Sequence, residues 1–252
     1  MSHLYVYQHN TLMAQPSLWQ GIASVWTIPN QHIPKVISFV GAGGKTTWIY
    51  ALAQEQRAVG KRVLIVTTTH MKRPTRWGVL TGNPIDIAKQ LDAEGIAVVG
   101  IPCENGKMTY IGDTLFQEVS LLADSILIEA DGSKRMPLKV FDIHEPVILS
   151  QTQLILCLAG MSAVGKSVAD GCFRWQKGRV QPQTILTPDV FCTIWKEGCL
   201  DILGKRYTQP ILPVINQCDT IEQIQQAQDI LHQCHVTEGL ITAFNEKERE
   251  PR

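Results

Sequence analysis

No stretch of about 18 consecutive apolar residues occurs in the 252-residue sequence, which argues against a membrane-spanning helix. Net charge is missing too. Lys plus Arg (23) balance Asp plus Glu (23), so no global positive field exists to hold a nucleic-acid backbone or an anionic membrane. The seven cysteines (Cys103, Cys157, Cys172, Cys192, Cys199, Cys218 and Cys234) are odd in number and contain no C-x-x-C pair, which argues against a disulfide framework or a zinc ribbon. His232 and His235 flank Cys234 near a helix end, but without a second ligand pair they read as surface residues rather than a metal site. Met1 to Gln20 is polar and has no apolar run of signal-peptide length. These absences predict a cytoplasmic protein that binds neither nucleic acid nor membrane, with partners chosen by local sites. The content that remains, 44% hydrophobic and 18% charged, is that of a globular domain able to bury a sizeable core.

The stretch around which the chain is organised is Gly41-Ala42-Gly43-Gly44-Lys45-Thr46-Thr47. It follows an apolar run, Val36 to Val40, suited to a buried strand, and opens an amphipathic segment running to about Val59. Glycines let backbone N–H groups curl around an anion, and the helix N-terminus adds partial positive charge. In such a loop Lys45 reaches a β- or γ-phosphate and the Thr46 hydroxyl sits on Mg²⁺. The spacing is the short form G-x-x-G-K-T-T, because the position five before Gly44 holds Phe39.

Residues 1–35 show no strong periodicity beyond a short helix over Ser17 to Val25, and Pro29 and Pro34 frame a loop into the first strand. This N-terminal segment is expected on the rim of an α/β domain spanning residues 36–245, with a charged, frayed tail at 246–252. A second strand, Val63 to Val66, ends in Thr67-Thr68-Thr69-His70-Met71, either a solvated loop or ligand contacts at the carboxyl end of a strand. Pro84 to Gly95 reads as a helix, and Asn105-Gly106 predicts a small hairpin at the sheet's edge, between Ile96–Val99 and Met108–Ile111. Thr114 to Ala123 is a further helix. It feeds Ser125-Ile126-Leu127-Ile128-Glu129-Ala130-Asp131, which puts Glu129 and Asp131 on one face of the sheet if the strand continues that far, either as two solvated acids at a strand end or where Mg²⁺ and a nucleophilic water both need carboxylates. Lys134, Arg135 and Lys139 follow, as a solvated loop or as cations for a phosphoryl group or anionic substrate.

Gly160 to Ser167 matches the full eight-residue phosphate-loop pattern, G-x-x-x-x-G-K-S, letter for letter. Its context does not fit, because Gly171 breaks the segment after Ser167, and a phosphate loop without a helix lacks its anion-binding dipole. Gly41 to Thr47 is therefore the assigned loop, although Lys166 also follows a strand's carboxyl end. Helices are expected from Thr187 to Gly198, Leu200 to Gly204 and Ile221 to Gln233, with a last core strand at Ile211 to Ile215. That strand ends in Asn216-Gln217-Cys218-Asp219, close to the N-K-x-D signature that reads guanine; Gln217 in place of lysine weakens stacking on the base. An Asn/Asp turn accounts for the same residues.

In this combination the chain resembles the YqeC family, described as accessory proteins of selenium-dependent molybdenum hydroxylases. The resemblance rests on Val40 to Thr47, Thr67 to Met71, Glu129 to Gly132, Pro137-Leu138-Lys139, His144-Glu145-Pro146 and Gly165-Lys166. It implies a role in supplying selenium to such a hydroxylase, with that hydroxylase or a cofactor-maturation protein as client. The family usually carries Asn-Lys-x-Asp where this chain has Gln217, and a proline is common where it has Ser167.

The residues themselves predict a three-layer P-loop NTPase-like α/β domain with a mostly parallel sheet. Gly41, Ala42, Gly43, Gly44, Lys45, Thr46 and Thr47 cradle the phosphates of ATP or GTP, with Asn216 and Asp219 at the base. Thr46 with Glu129 or Asp131 holds Mg²⁺, and the other acid orients water or an acceptor. Lys45, Glu129 and Asp131 are the catalytic set; His70, Lys139 and Lys166 are candidates for substrate contact. NTP hydrolysis or NTP-driven activation of a substrate is the expected chemistry. A small-molecule kinase or ATP-dependent ligase, or a nucleotide-switched chaperone without catalysis, would use the same loop.

Overall fold

The apolar runs become strands of one large sheet, and the segments between them become helices on its two faces. A computed structural model of the chain describes residues 3–26 and 34–244. Pro29 and the charged tail from Glu246 lie outside the described residues.

Strands β1 (His3–Gln8) and β2 (Thr11–Ala14) form a hairpin, and helix α1 (Leu18–Val25) starts at Ser17, whose hydroxyl accepts from the Gln20 N–H. Strand β3 (Val36–Gly41) and helix α2 (Lys45–Ala58) flank the glycine stretch, and β4 (Val63–Thr67) comes next. Short strands β5 (His70–Lys72) and β6 (Gly78–Val79) precede α3 (Pro84–Glu94), which is capped by Asn83 and begins with proline where no N–H is needed. After it come β7 (Ile96–Val99), β8 (Ile101–Cys103) and β9 (Lys107–Thr109). Helix α4 (Asp113–Ser120) leads into β10 (Ser125–Glu129), followed by β11 (Leu138–Lys139) and β12 (Leu154–Gly160). The remainder holds α5 (Val168–Gly171), β13 (Cys172–Phe173), α6 (Pro188–Trp195), α7 (Asp201–Arg206), β14 (Ile211–Asn216), α8 (Ile221–Gln233) and β15 (Glu238–Ala243). A π-helical turn, Lys196–Leu200, joins α6 to α7.

The ten-stranded sheet has the order β2-β1-β15-β14-β12-β3-β10-β4-β7-β6. All its pairings are parallel except the two made by β1, so this is an α/β fold with a large, mostly parallel sheet. Both faces are covered, which explains the near-continuous apolar strands. Along β4, Val63 and Ile65 join the core that holds Leu18, Ile22, Trp48 and Leu52 of α1 and α2. Leu64 and Val66 join the opposite core, with Leu91 of α3, Phe116 of α4, Phe191 of α6 and Ile230 of α8.

Two details differ from the sequence reading. The hairpin signalled by Asn105-Gly106 pairs β8 with β9, not Ile96–Val99 with Met108–Ile111, and it belongs with β5 to a separate three-stranded sheet. The alternation of Ile96 to Val99 continues the parallel sheet beside β4 instead. The N-terminal stretch, read without strong periodicity, supplies β1 and β2, added beyond β15, with Leu4, Val6 and Leu18 in the core. Among the described residues no helix is long and apolar enough to cross a membrane.

This strand order brings the carboxyl ends of β14, β12, β3, β10 and β4 side by side. The loops that follow carry Gln217, Met161, Gly43, Asp131 and Thr68, so five connections meet at one edge of the sheet.

Candidate functional site

The glycine loop after β3 is shaped by contacts that leave no room for side chains. Gly41, Gly43 and Gly44 have φ of 88°, 80° and 110°, in the left-handed range that glycine tolerates. A Cβ on Gly41 would lie 2.2 Å from the Leu158 carbonyl oxygen, and one on Gly43 would lie 2.3 Å from the Gly160 nitrogen. The loop therefore sits directly on the end of β12, where the Ala42 N–H donates to Leu158 O.

Asn216, at the end of β14, is the buttress on the other side. Its Nδ2 donates to Gly43 O at 2.8 Å, and its Oδ1 accepts from Thr242 Oγ1 at 2.9 Å. The same Thr242 hydroxyl accepts from Trp48 Nε1 at 3.1 Å, which ties the loop to α2 and β15 through one buried chain. Gly44 caps α2 without any side-chain acceptor of its own, so the 14-residue helix starts without a side-chain cap among the described residues. Ala42 is buried in the loop and Thr47 is half-buried in the first turn of α2.

The strand ends at Glu129, so the two acids take different positions, Glu129 as the last residue of β10 and Asp131 on the loop after it. Thr46 Oγ1 donates to Glu129 Oε2 at 2.8 Å, at the rim of the loop. Burial pushes the Glu129 carboxyl up from its ordinary range, even though Lys45 and the Thr46 hydroxyl pull the other way. Burial also pushes the Tyr50 hydroxyl up, to about 12, and the Glu129 charge adds to the shift. The backbone around Glu129 is held by the threonine cluster, since Thr67 Oγ1 and the Thr68 N–H both donate to Glu129 O.

Asp131 is fully buried and turned under the loop. Its Oδ2 accepts from the Gly41 N–H at 3.0 Å and from Lys139 Nζ at 2.8 Å. Its Oδ1 faces Lys45 Nζ at 3.0 Å as an ion pair but takes part in no hydrogen bond. The hydrogen bond that Lys45 makes is to Gly41 O, at 2.6 Å. Lys139, expected as a substrate contact, is also fully buried, and its Nζ donates to Asp131, to Gly132 O at 2.7 Å and to Glu145 Oε2 at 2.7 Å. Burial would drive its proton off, but Asp131 and Glu145 more than offset that and hold its pKa above the ordinary lysine value. Arg174 donates to the same Glu145 oxygen and pairs with Asp142, so charges of alternating sign run from Lys45 outward. Glu145 and Arg174 were not singled out as single residues by the sequence; the one signal was His144-Glu145-Pro146 as a fragment.

The segment from Ser133 to Pro137 lies over the loop. The Gly43 N–H donates to Met136 O at 3.3 Å and the Gly160 N–H to Pro137 O at 2.7 Å. Lys134 and Arg135 are exposed, both in left-handed backbone.

The remaining predicted residues lie on neighbouring loops. His70 is exposed on the first residue of β5, opposite Thr109. Lys166 is exposed beyond a 3₁₀ turn at Met161–Ala163, and only the four-residue α5 follows, so the second glycine-lysine loop opens no helix of useful length. Gln217 has left-handed backbone and accepts from Ser162 Oγ at 2.6 Å, which binds the loops after β12 and β14 together. Asp219 is exposed just before the capping box of α8. Among the described residues no group of three or more His, Cys, Asp or Glu is gathered as a metal centre, and the Cys157 and Cys218 side chains are buried.

The raised pKa of Glu129 gives a stability prediction. A carboxyl that holds its proton more tightly when folded costs stability as pH rises from the unfolded value through the folded one. Glu129→Gln is therefore expected to melt about 2–4 °C above the parent at pH 8. In differential scanning calorimetry that gain should shrink as pH falls toward the ordinary carboxylate range; a gain that grew on acidification would contradict it.

Three comparisons with known proteins bear on this chain. A search of curated proteins finds the uncharacterized protein YqeC of Escherichia coli (strain K12), 37% identical over 179 residues, covering 63% of this chain. The match spans 64% of the length of that relative. Among solved structures the chain is similar to the MinC:MinD cell division protein complex of Aquifex aeolicus, at 14% identity and a TM-score of 0.45 over 86% of this chain and 87% of the other, too distant a likeness to carry an assignment. The sequence profile of the YqeC protein family matches residues 37–176, more than half of the 252-residue chain, and the chain belongs to the YqeC family.

Proposed function

We propose that the chain binds a Mg²⁺-complexed nucleoside triphosphate, ATP or GTP, at Gly41–Thr47 and hydrolyses it or uses it to activate a substrate. The observation that carries this reading is the contact between Thr46 Oγ1 and Glu129 Oε2, made at the uncapped start of α2 beside a lysine. A hydroxyl and a carboxylate side by side are oxygen ligands for a magnesium ion, and the helix N-terminus and lysine beside them attract the phosphate it accompanies.

Thr46 and Glu129 would hold the Mg²⁺, which when bound neutralises charge on the phosphate oxygens. Lys45 and the N–H groups from Gly44 to Thr47, beyond the three already taken by Asp131, Leu158 O and Met136 O, bind and orient the phosphates. Glu129, rather than Asp131, is the carboxylate with access to the rim, since Asp131 is sealed beneath the loop. Asn216 fixes the loop's shape, and Asp219 stands on the exposed connection where a base would be read. His70, exposed at the start of β5, and Lys166, exposed on the loop after β12, are the substrate-side candidates. The family resemblance adds a setting: an accessory step in maturing a selenium-dependent molybdenum hydroxylase or its cofactor.

Calorimetric titration of ATP and GTP, each with Mg²⁺, into the parent and Lys45→Ala tests the reading. Binding to the parent that weakens about 100-fold in the variant is expected, a loss of about 3 kcal/mol. A folded parent that binds neither nucleotide sinks it.

A further inference from the structure

Two buried lysines share Asp131, and a phosphate needs one of them. Resting on the nucleotide site proposed above, we infer that Lys139 is the fixed counter-ion of Asp131, the positioning residue that leaves Lys45 free to move to a phosphate.

The two lysines are held in opposite ways. Lys139 makes three hydrogen bonds, to Asp131, Gly132 O and Glu145. Its backbone is also pinned, because β11 pairs with β13 and Cys199 Sγ donates to Lys139 O at 3.3 Å. Its ammonium cannot swing outward without breaking all three of its hydrogen bonds, and the pinned backbone cannot carry it there. Lys45 faces Asp131 through an ion pair that lacks a hydrogen bond, and its one hydrogen bond is to the carbonyl of its own loop.

When Lys45 turns to a phosphate, Asp131 loses one cation while fully buried. An unpaired carboxylate there is prohibitively unstable, so some group must keep the charge compensated. Lys139 and the Gly41 N–H do so, both on Oδ2, and Oδ1 is the oxygen that Lys45 vacates. Without Lys139, the carboxylate would hold Lys45 as its last cation, and nucleotide binding would have to pull that pair apart. Lys139 then acts on affinity through Asp131, with no contact to the nucleotide.

The test measures Mg-ATP and Mg-GTP binding by calorimetry for the parent, Lys45→Ala, Lys139→Met, Lys139→Arg, Asp131→Asn and the double variant Lys139→Met/Asp131→Asn, each checked for folding by circular dichroism. Lys139→Met is expected to weaken binding about tenfold or more. Lys139→Arg should stay near the parent. The double variant should recover most of the loss, because removing the carboxylate's charge removes the need for its counter-ion; a lysine that served only to hold the fold together would give no such rescue. Lys139→Met binding like the parent, or a double variant no better than the single, overturns the inference. Should Lys139→Met fail to fold, Asp131→Asn decides alone: it frees Lys45 and should bind at least as tightly as the parent, and weaker binding overturns the inference. Parent protein that binds no nucleotide removes the site reading and this inference together. Parent binding that Lys45→Ala abolishes and Lys139→Met leaves intact removes this inference only.

Discussion

Asp131→Ala is expected to lower the unfolding free energy by about 3–5 kcal/mol, the cost of leaving buried charge without its partner. Both neighbouring lysines are sealed from water, with Lys45 4% and Lys139 1% exposed, so solvent cannot take over what the carboxylate supplied. The Gly41 N–H loses its acceptor as well, which adds to the cost. Asp131→Asn should lose less, because an amide oxygen can still accept from the Gly41 N–H and the side-chain volume is kept. Urea unfolding of the parent and both variants separates the contributions. Equal losses would show that the missing charge accounts for the whole effect and that the Gly41 N–H bond and the side-chain volume add little. A loss below about 1 kcal/mol in the alanine variant, the worth of one neutral hydrogen bond, would show that the buried ion pairs are not formed.

Gly43→Ala is the second large effect. Its Cβ would lie 2.3 Å from Gly160 N and 2.5 Å from Gly160 Cα, backbone against backbone, at φ of 80°. Left-handed strain of about 1–2 kcal/mol and overpacking of about 1–3 kcal/mol add to roughly 2–5 kcal/mol. Gly165, in the other glycine-lysine loop, provides the control, with a similar φ of 87° but nothing within 4 Å of its Cβ. Gly165→Ala should therefore cost only the strain, about 1–2 kcal/mol. Thermal denaturation of the two variants decides whether close packing, and not backbone angle alone, demands a glycine at position 43. Similar losses at both positions would reject that account.

The comparison of these two loops shows what was legible in the sequence. Letter matching favours Gly160 to Ser167, whereas the strand before Gly41 and the amphipathic run after Lys45 favour the earlier stretch, and the longer helix does follow Lys45. Most helices were readable because Ser17, Asn83, Thr187 and Thr220 cap them locally. Glu129 and Asp131 were readable as a pair from their spacing, but not their different surroundings. Asp131 is held by Lys139 and Gly41, and Lys139 by Glu145, contacts set by how the chain returns over the sheet edge. Long-range pairing was hidden for the same reason. The strand Glu238–Ala243 carries no turn signature that names its partners, and one of them lies at the other end of the described chain.

That partnership, β1 against β15, sets an order of events during folding. Gln8 and Glu238, joined by a side-chain hydrogen bond, are 230 residues apart. Parallel strands from β3 to β14 can assemble as the chain emerges from the ribosome, but β1 has no edge to dock on until β15 has formed beside β14. Leu4 and Val6, buried in the finished fold, stay exposed through that wait. A strand synthesised ahead of β2 to β15 is thus among the last to be sheltered, in a slow, high-contact-order closure during which chaperones have something to hold.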